Sequence, residues 1–543
     1  MTSAARLALP LGCGSLLRTA PVALLVLPWL WPIANGPTPA VLPWLVSLAC
    51  AALFLLLFLF RPASLNTIVA QALLVAALTS SLIGLLQYFG ASAALSPWIG
   101  PTAPGYAFGN LRQRNQLGSL INIGLAVLVW SVWSRQGIRA WNNPLSDATS
   151  GAAQQNQAAQ LHHWPLLLAA VLLASANAAT ASRTGLLQLL ALPVLAFVWR
   201  RRDAAPNWPI LLAALLAYAG ASVLLPLLAG LDPLTSGIVA RFGDGGQSCE
   251  SRLILWRNVI YLIAQKPWWG WGWGELDYAH FITLYPDARF CDILDNAHNL
   301  PLHLAVVLGL PFAVAACACI AWLVWRARPW TETRADRQMA WAVLFMIALH
   351  SLLEYPLWYG PFQLTVILCL VVLWRTPRLS PGAPDGDDPT TSWCAPAWSL
   401  SVRRSLMVLV VLVLAAASYA AWDYRRVSQI YLPAERRAPA YRHDTSKKIQ
   451  GSWLYARQVG FAAVTTTTVD ADNAALINRM AKDLLHFSPE PRVIEKLISS
   501  ARLLHQDKER VFFEERYRAA FPKDFTRWRA AQHSEPAAAA SDN

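Results

Sequence analysis

Charged residues are scarce in this 543-residue chain, where Lys, Arg, Asp and Glu make up only 14% of the sequence. A soluble globular protein carries about 25%, so close to half of the usual charge is missing. Hydrophobic residues reach 56%, and the chain contains 26 tryptophans. This composition excludes a disordered chain, a secreted disulfide scaffold and a soluble multidomain enzyme. It is typical of a polytopic membrane protein whose aromatic residues line the membrane interfaces.

Several functional signatures are also missing. No Gly-rich phosphate loop or nucleic-acid-binding motif accompanies the net charge of +13, so we expect no nucleic-acid partner. No G-x-S-x-G nucleophile motif occurs, and the histidines discussed below lack the spacing of a metal site. The positive charge is instead typical of Lys and Arg held on the cytoplasmic side, or of ligands such as anionic lipids and phosphates.

Long apolar runs define the fold class. A bilayer core of about 30 Å needs about 20 apolar residues per helix, and eleven runs are candidates for such spans. They lie at 19–35, 40–60, 66–90, 115–134, 162–181, 184–199, 208–230, 299–325, 339–357, 360–375 and 405–422. We therefore predict an all-α polytopic membrane protein with about 11 transmembrane helices.

The basic residues between these runs set the orientation. They fall in alternate loops, and placing those loops in the cytoplasm satisfies the positive-inside rule with a cytoplasmic N-terminus. The predicted segments are an N-terminal bundle at 1–230, a large periplasmic loop at 231–298, a C-terminal bundle at 299–422 and a soluble tail at 423–543. A miscount by one span would reverse the side of the tail.

The tail is predicted to be a small helical domain. Apolar residues recur at three- and four-residue spacing in 474–485, 493–504 and 510–521. A protein-binding module and a domain that only packs both fit this pattern.

Two of the eight cysteines, Cys249 and Cys291, fall in the predicted outward loop. An oxidising periplasm would permit a disulfide between them. The spacing does not decide whether they pair, because it does not set their Cα separation.

Two arginine clusters lie at predicted outward ends of spans. Arg112, Arg114 and Asn115 precede the fourth span, and Arg183 lies in the tight turn between the fifth and sixth. Arginines and amides in this arrangement can grip a phosphate, or they can snorkel to lipid headgroups. An outward arginine in so short a turn opposes the positive-inside bias, which favours a function for Arg183.

A third cluster occupies the large loop. Arg252 and Trp256 share a helical face in an amphipathic stretch that also carries Arg257. The stretch leads into a run of tryptophans and glycines containing Trp269, Trp271 and Trp273. Such a run can stack on sugars or form an aromatic belt.

Histidines mark two further clusters. His298 lies where the large loop meets the eighth span, beside Asn299 and near His303, and its unperturbed pKa near neutrality suits general-base work. His350 and Glu354 are four residues apart near the outer end of the ninth span, where a shared helical face is expected. An ionisable residue at membrane depth is a functional candidate by default.

These motifs together resemble a known family. The strings GNLRQRNQLG, SRTG, RLILWRNVIYLIAQKPWWGWGWGE, DNAHNLPLHLAVVLGLP and HSLLEYPLWYGPF resemble bacterial protein O-oligosaccharyltransferases of the pilin-glycosylating, PglL-like type. That type belongs to the O-antigen ligase (WaaL) and polymerase (Wzy) superfamily. The resemblance runs from about residue 105 to residue 435.

The resemblance implies a GT-C-like enzyme of the bacterial inner membrane with a periplasmic active site. It would transfer an oligosaccharide en bloc from undecaprenyl diphosphate to Ser or Thr hydroxyls of a periplasmic acceptor such as a type IV pilin, without cofactor or metal. His298 would be the catalytic histidine and Arg252 the loop arginine that engages the lipid diphosphate. Further diphosphate contacts would come from Arg183, Arg112 and Arg114. Supporting roles fall to Asn299, Asn115, Arg257, His303, His350 and Glu354.

Other functions compete with this one. An O-antigen ligase would use the same donor and a lipid A–core sugar as acceptor, and a polymerase of the superfamily is a third candidate. A transporter would be expected to show broken helices or internal repeats with charges at the bilayer midplane, whereas here the charges gather at one face. A non-catalytic scaffold would not need the arginine and histidine set.

Overall fold

The computed structural model describes residues 11–60, 65–142, 164–200, 208–243, 249–378 and 399–534. Within these ranges every regular element is helical. The helices of the first half are Leu11–Leu30, Val41–Phe60, Leu65–Tyr88, Arg114–Asn142, Trp164–Ala179, Arg183–Val198, Trp208–Leu228, Gly237–Gly243, Arg252–Gln265 and Leu276–Ile282. The later helices are Leu300–Leu308, Leu310–Ala327, Ala335–Ser351, Gly360–Arg375, Leu400–Ser428, Thr445–Ile449, Ala456–Thr466, Ala474–Leu485, Pro491–Leu503, Asp507–Ala520 and Pro522–Ser534.

In the described part of the chain, five helices are long and apolar enough to cross a membrane. They are Val41–Leu59, Leu65–Tyr88, Trp208–Leu228, Leu310–Thr331 and Leu400–Tyr431. Shorter apolar helices lie at Thr19–Leu30, Trp164–Ala179, Arg183–Val198 and Gly360–Arg375. The chain is therefore a helical, polytopic membrane protein, and the count of eleven spans remains a prediction. The predicted orientation depends in part on basic residues at 6, 61, 201 and 202, which lie outside the described residues.

Chain contacts divide the protein into two compact units. The first comprises 1–34, 39–243 and 324–418, and the second comprises 35–38, 244–323 and 419–543. The core of the first unit is built largely from the helices Leu65–Tyr88, Arg114–Asn142, Trp164–Ala179 and Ala335–Ser351. Small residues such as Ala76, Ala77 and Ala126 are wholly buried there, as close packing between apolar helices in a membrane requires.

The second unit combines the large loop with the tail. Phe281, on the loop helix Leu276–Ile282, is buried in the core of the tail. Its ring stacks on that of Phe513 with centroids 6.5 Å apart, and Arg516 donates a hydrogen bond to the carbonyl of Ile282. The tail helices predicted at 474–485, 493–504 and 510–521 are found at Ala474–Leu485, Pro491–Leu503 and Asp507–Ala520.

The predicted span at 299–325 is not one helix, because Gly309 separates Leu300–Leu308 from Leu310–Ala327. Gly309 has a φ of +87°, a conformation that side chains other than glycine rarely adopt. A Cβ atom there would lie 2.2 Å from the carbonyl oxygen of Trp268. The run of tryptophans and glycines at 266–274, the Trp-Gly stretch, lies against this break between the two helices. The amide of Leu310 donates to the carbonyl of Pro267 at 2.8 Å.

Candidate active site

His298 lies in a tightly held turn between the large loop and the helix Leu300–Leu308. Its φ of +50° is left-handed, a conformation that costs about 1–3 kcal/mol for a residue other than glycine. The side-chain oxygen of Asn296 accepts a hydrogen bond from the His298 amide at 2.9 Å. Trp256 donates to the carbonyl of Ala297 at 3.1 Å. These bonds fix the half-buried His298 in a strained conformation, which is typical of functional positions.

The residues after His298 continue this framework. Asn299 caps the helix Leu300–Leu308, and its side chain accepts from the amide of Leu302 at 3.0 Å. The Nδ1 atom of buried His303 accepts from the amide of Ala297 at 3.4 Å. Burial, aided by the nearby His298, lowers the pKa of His303 to about 4, so this ring is neutral at pH 7. It stands outside the candidate membrane spans and supports the turn.

One of the two polar side-chain atoms of Asn296 has no hydrogen-bond partner among the described residues. The backbone amide of His298 can only donate, so the Asn296 atom facing it is the oxygen, and the amide orientation is settled. Its Nδ2 atom is buried without a hydrogen-bond partner, on a residue that is 3% exposed. A buried unpaired donor costs about 1–3 kcal/mol. The described residues therefore leave this donor unused.

Asp277, on the loop helix Leu276–Ile282, is a further buried acid in the same unit. Burial, reinforced by the negative charges of Asp295 and Glu275, raises the pKa of Asp277 to about 7. Its protonation therefore changes close to neutral pH. Residue type alone did not single out Asp277 or Asn296, since neither burial nor an unpaired atom can be read from the sequence.

Arg252 and Arg257 begin the helix Arg252–Gln265, which Ser251 caps by accepting from the amide of Leu253 at 3.3 Å. Arg252 is half-buried and Arg257 is exposed. Trp256, one turn beyond Arg252, holds the Ala297 carbonyl. The helix that carries Arg252 is therefore tied to the His298 turn.

The three tryptophans of the Trp-Gly stretch have different surroundings. Trp271 is built into the packing, because its Nε1 donates to the carbonyl of Leu262 at 3.0 Å and Lys266 lies 4.0 Å from its ring centroid. Trp269 is 89% exposed. Trp273 is 62% exposed and meets the ring of His303 edge-on, with centroids 5.9 Å apart. Trp273 is the member of this set that the structure brings to the surroundings of His298.

Cys249 and Cys291 are joined by a disulfide, with their Cα atoms 5.4 Å apart. The bridge links the start of the second unit to the segment that precedes the His298 turn. This is the pairing that the sequence left open.

The remaining candidate arginines belong to the first unit. The guanidinium of Arg112 donates to the carbonyl of Ala34 at 3.0 Å and to that of Pro32 at 2.8 Å. Arg114 lies over the rings of Tyr106 and Phe108, at 5.3 and 5.5 Å from their centroids. Arg183 begins the helix Arg183–Val198 and is exposed.

Asn115 connects two of the sequence motifs within this unit. Its side chain donates to the carboxylate of buried Glu354 at 2.9 Å, and its oxygen accepts from the hydroxyl of Ser182 at 2.6 Å. Gln113 donates to the other carboxylate oxygen of Glu354 at 3.3 Å. The strings around 115, 182 and 354 therefore meet in one hydrogen-bonded group.

His350 belongs to a neighbouring polar cluster. The helix ends at Ser351, and the amide of Glu354 just beyond it donates to the carbonyl of His350 at 2.8 Å. The hydroxyl of Ser119 donates to Gln188 at 3.0 Å and lies 2.9 Å from Nδ1 of His350. Since that hydroxyl has a single proton, His350 Nδ1–H is the donor in their contact, and Nε2 carries the lone pair. Nε2 is buried without a partner among the described residues.

Four polar members of this cluster were missed in the sequence: Ser119, Asn122, Asn177 and Gln188. Asn122 donates to Gln188 and to the Gly185 carbonyl, and Asn177 donates to the same carbonyl at 3.3 Å. Each lies in an apolar run, where a polar side chain is costly and signals a partner. These residues could therefore have been identified from the sequence as polar side chains within apolar runs. In the part of the chain that the structure describes, no group of three or more His, Cys, Asp or Glu residues is arranged to hold a metal ion.

Comparison with known proteins gives three family matches. Residues 168–317 match the family "O-Antigen ligase", and residues 338–535 match "Virulence factor membrane-bound polymerase, C-terminal". Residues 107–130 match "Protein glycosylation ligase". No solved structure matches the chain.

One curated relative extends these matches. A general O-oligosaccharyltransferase of Acinetobacter baylyi is 30% identical over 185 residues, which are 33% of this chain and 28% of the relative. The match therefore spans less than a third of the length of that relative. Together with the family matches, it shows that the chain is similar to members of the O-antigen ligase and polymerase superfamily. Within that superfamily, the match at 107–130 and the relative indicate similarity to the PglL-like type.

Proposed function

We propose that this protein is a protein O-oligosaccharyltransferase. It transfers an oligosaccharide en bloc from undecaprenyl diphosphate to Ser or Thr hydroxyls of a periplasmic acceptor protein such as a type IV pilin. The observation that carries the proposal is the constrained turn at His298 in a chain similar to a general O-oligosaccharyltransferase. The choice of a protein acceptor is supported by the protein glycosylation ligase match at 107–130.

In the proposed reaction the acceptor hydroxyl oxygen attacks the anomeric carbon of the first sugar. The bond between that carbon and the phosphate oxygen breaks, and undecaprenyl diphosphate leaves with the electron pair. His298 takes the hydroxyl proton as general base. Asn296, Asn299 and neutral His303 hold the His298 turn in place, so that the imidazole needs little reorganisation.

The leaving diphosphate gains negative charge as the bond breaks, and arginine is the residue that best stabilises it. Arg252 is the first candidate, because its helix is tied to the His298 turn through Trp256. Arg183, Arg112 and Arg114 are further proposed contacts. Among the described residues, Arg112 donates two hydrogen bonds to backbone carbonyls, so that three of its five donors are not used by them. Trp273, near His303, is the tryptophan best situated to stack on a sugar.

The proposal includes the topology that the basic loops predict. The enzyme lies in the bacterial inner membrane, and His298 and the tail face the periplasm. The tail shares its core with the large loop, so an acceptor that docks on the tail would be held by the same unit that carries His298.

The superfamily offers two other activities, ligation of the glycan to lipid A–core and polymerisation of glycan repeats. The O-antigen ligase and polymerase matches at 168–317 and 338–535 favour these alternatives. The acceptor therefore has to be identified by experiment.

The proposal is tested by glycan transfer in a host that supplies an undecaprenyl-linked glycan and a candidate pilin. We expect a glycan-sized mass increment on the pilin with the wild type. His298→Ala should lower transfer by about 10²–10⁴-fold, because general-base catalysis contributes a factor of that size.

The matched control is His443→Ala, which removes an exposed histidine of the tail. It should transfer like the wild type at equal membrane levels. Transfer that survives His298→Ala would remove His298 from the mechanism. Glycan found on lipid A–core and not on protein would establish the ligase alternative.

A further inference from the structure

Three aromatic residues of the second unit form an exposed cluster where the last candidate membrane span meets the tail. Tyr419 and Trp422 lie on the helix Leu400–Ser428, and Trp453 follows in the tail. They are 41%, 54% and 70% exposed. A contiguous exposed patch of large aromatic rings is typical of a surface that contacts a protein or a membrane.

The depth of this cluster follows from the charges on the helix. Residues 405–422 carry no charged side chain, and they are bounded by Arg404 and Asp423. At about 1.5 Å per residue this run is about 27 Å long, close to the bilayer core of about 30 Å. Tyr419 and Trp422 occupy its last turn, which is the level where interfacial aromatic residues concentrate.

Trp453 is held at that same level. Its indole Nε1 donates to the hydroxyl of Tyr419 at 3.1 Å, and the two rings are stacked with centroids 6.4 Å apart. Its neighbours fix the segment to the helix, since Ser452 donates to Asp423 at 2.7 Å and Tyr455 donates to the carbonyl of Ala420 at 3.2 Å. Trp453 is therefore fixed beside the end of the apolar run.

We propose that Trp453 and the adjacent Leu454 insert into the lipid interface and anchor the tail on the bilayer surface. Leu454 is 38% exposed beside Trp453. Tryptophan suits this place because its ring is apolar and its N–H still needs a polar partner, which Tyr419 supplies. The anchor holds the compact unit formed by 244–323 and 419–543 at a fixed height, His298 included.

The test places the photoreactive amino acid p-benzoyl-phenylalanine at 453 in the full-length protein, in nanodiscs of phosphatidylethanolamine and phosphatidylglycerol. Lipid adducts are measured by intact mass after irradiation. Position 422 is the positive control, on the span itself. Position 476 is the matched control, because Leu476 is 57% exposed on the tail helix Ala474–Leu485.

We expect adduct yields at 453 similar to those at 422 and several-fold above those at 476. A yield at 453 no higher than at 476 would overturn the proposal, as would crosslinking to protein in place of lipid. Labelling at 454 repeats the test if substitution of Trp453 prevents folding. The outcome does not depend on glycan transfer.

Discussion

The polar residues of the large loop and those of the membrane bundle are organised in different ways. Around His298, the backbone carries the geometry, with left-handed φ angles at His298 and Gly309 and side chains that cap or hold main-chain groups. In the bundle, polar side chains pair with one another, as Asn115 does with Glu354 and Ser119 with Gln188.

We interpret the loop contacts as positioning a residue that meets the substrate, and the bundle contacts as joining helices to one another. The loop leaves the imidazole of His298 half-buried in a turn held by backbone contacts, which suits a group that meets a substrate. Glu354 is 3% exposed and already accepts two amide donors. Such pairing is typical of polar residues that join helices in a membrane. Substitutions in the large loop and in the membrane bundle can test this interpretation separately.

The largest effect on stability is expected from Gly309→Ala, which disturbs the backbone geometry of the large loop. The new Cβ would lie 2.2 Å from the Trp268 carbonyl oxygen, at a φ that alanine disfavours. We expect a loss of about 3 kcal/mol or more in the free energy of unfolding, since strain and overpacking add. Thermal unfolding of the purified protein measures it.

Gly451→Ala is the matched control, because nothing lies within 4 Å of a Cβ at that position in the same unit. It should unfold like the wild type. Equal stability of the Gly309 variant and this control would mean that the Trp-Gly stretch moves aside easily and that the break is not rigid.

The bundle is tested at Glu354. Replacement by Leu leaves the amides of Gln113 and Asn115 without their acceptor, which should cost about 1–3 kcal/mol. Glu354→Gln retains one acceptor oxygen and should cost about half as much, with transfer activity largely kept. A Gln variant that unfolds like the wild type but transfers at least tenfold more slowly would instead place Glu354 in the chemistry.

Much of the fold could be predicted from the sequence. Each of the eleven apolar runs contains a helix, because a run of apolar residues near 20 long has few other stable forms in a bilayer. The break at Gly309 was missed, although Gly309 followed by Pro311 is a local helix-stop signal. Its cause also includes contact with the Trp-Gly stretch, which is distant in sequence.

The sequence identified most residues of the candidate site, but it did not show which of them contact one another. The motifs identified Asn115, His350 and Glu354, but the contacts that Glu354 makes beyond the helix end at Ser351 were not predicted. Helix ends are set by local hydrogen bonds that shift by a residue or two. The role of Asn296 depends on which of its two ends is occupied, and only the three-dimensional contacts decide that.

Substitutions of Asn296 test the role of the polar residues in the large loop. Asn296→Asp keeps an oxygen for the His298 amide and removes the free donor. If that donor binds substrate, transfer should fall about ten- to a hundredfold, about 1.4–2.7 kcal/mol, and the buried carboxylate should also lower the thermal stability. Asn296→Ala removes both functions and should lower stability as well. Wild-type transfer rates in the Asp variant would show that the donor is not used by the substrate.

A pH dependence of the stability is expected from Asp277. Its folded-state pKa of about 7 lies above the ordinary value of 3.8, so the folded protein binds a proton that the unfolded chain has lost. The stabilisation is present below about pH 4 and is lost as pH rises through 7, by at most about 1.4 kcal/mol per pH unit. Unfolding curves between pH 5 and 8 measure this slope. Asp277→Asn should flatten it, and an unchanged slope in that variant would assign the pH dependence to another group.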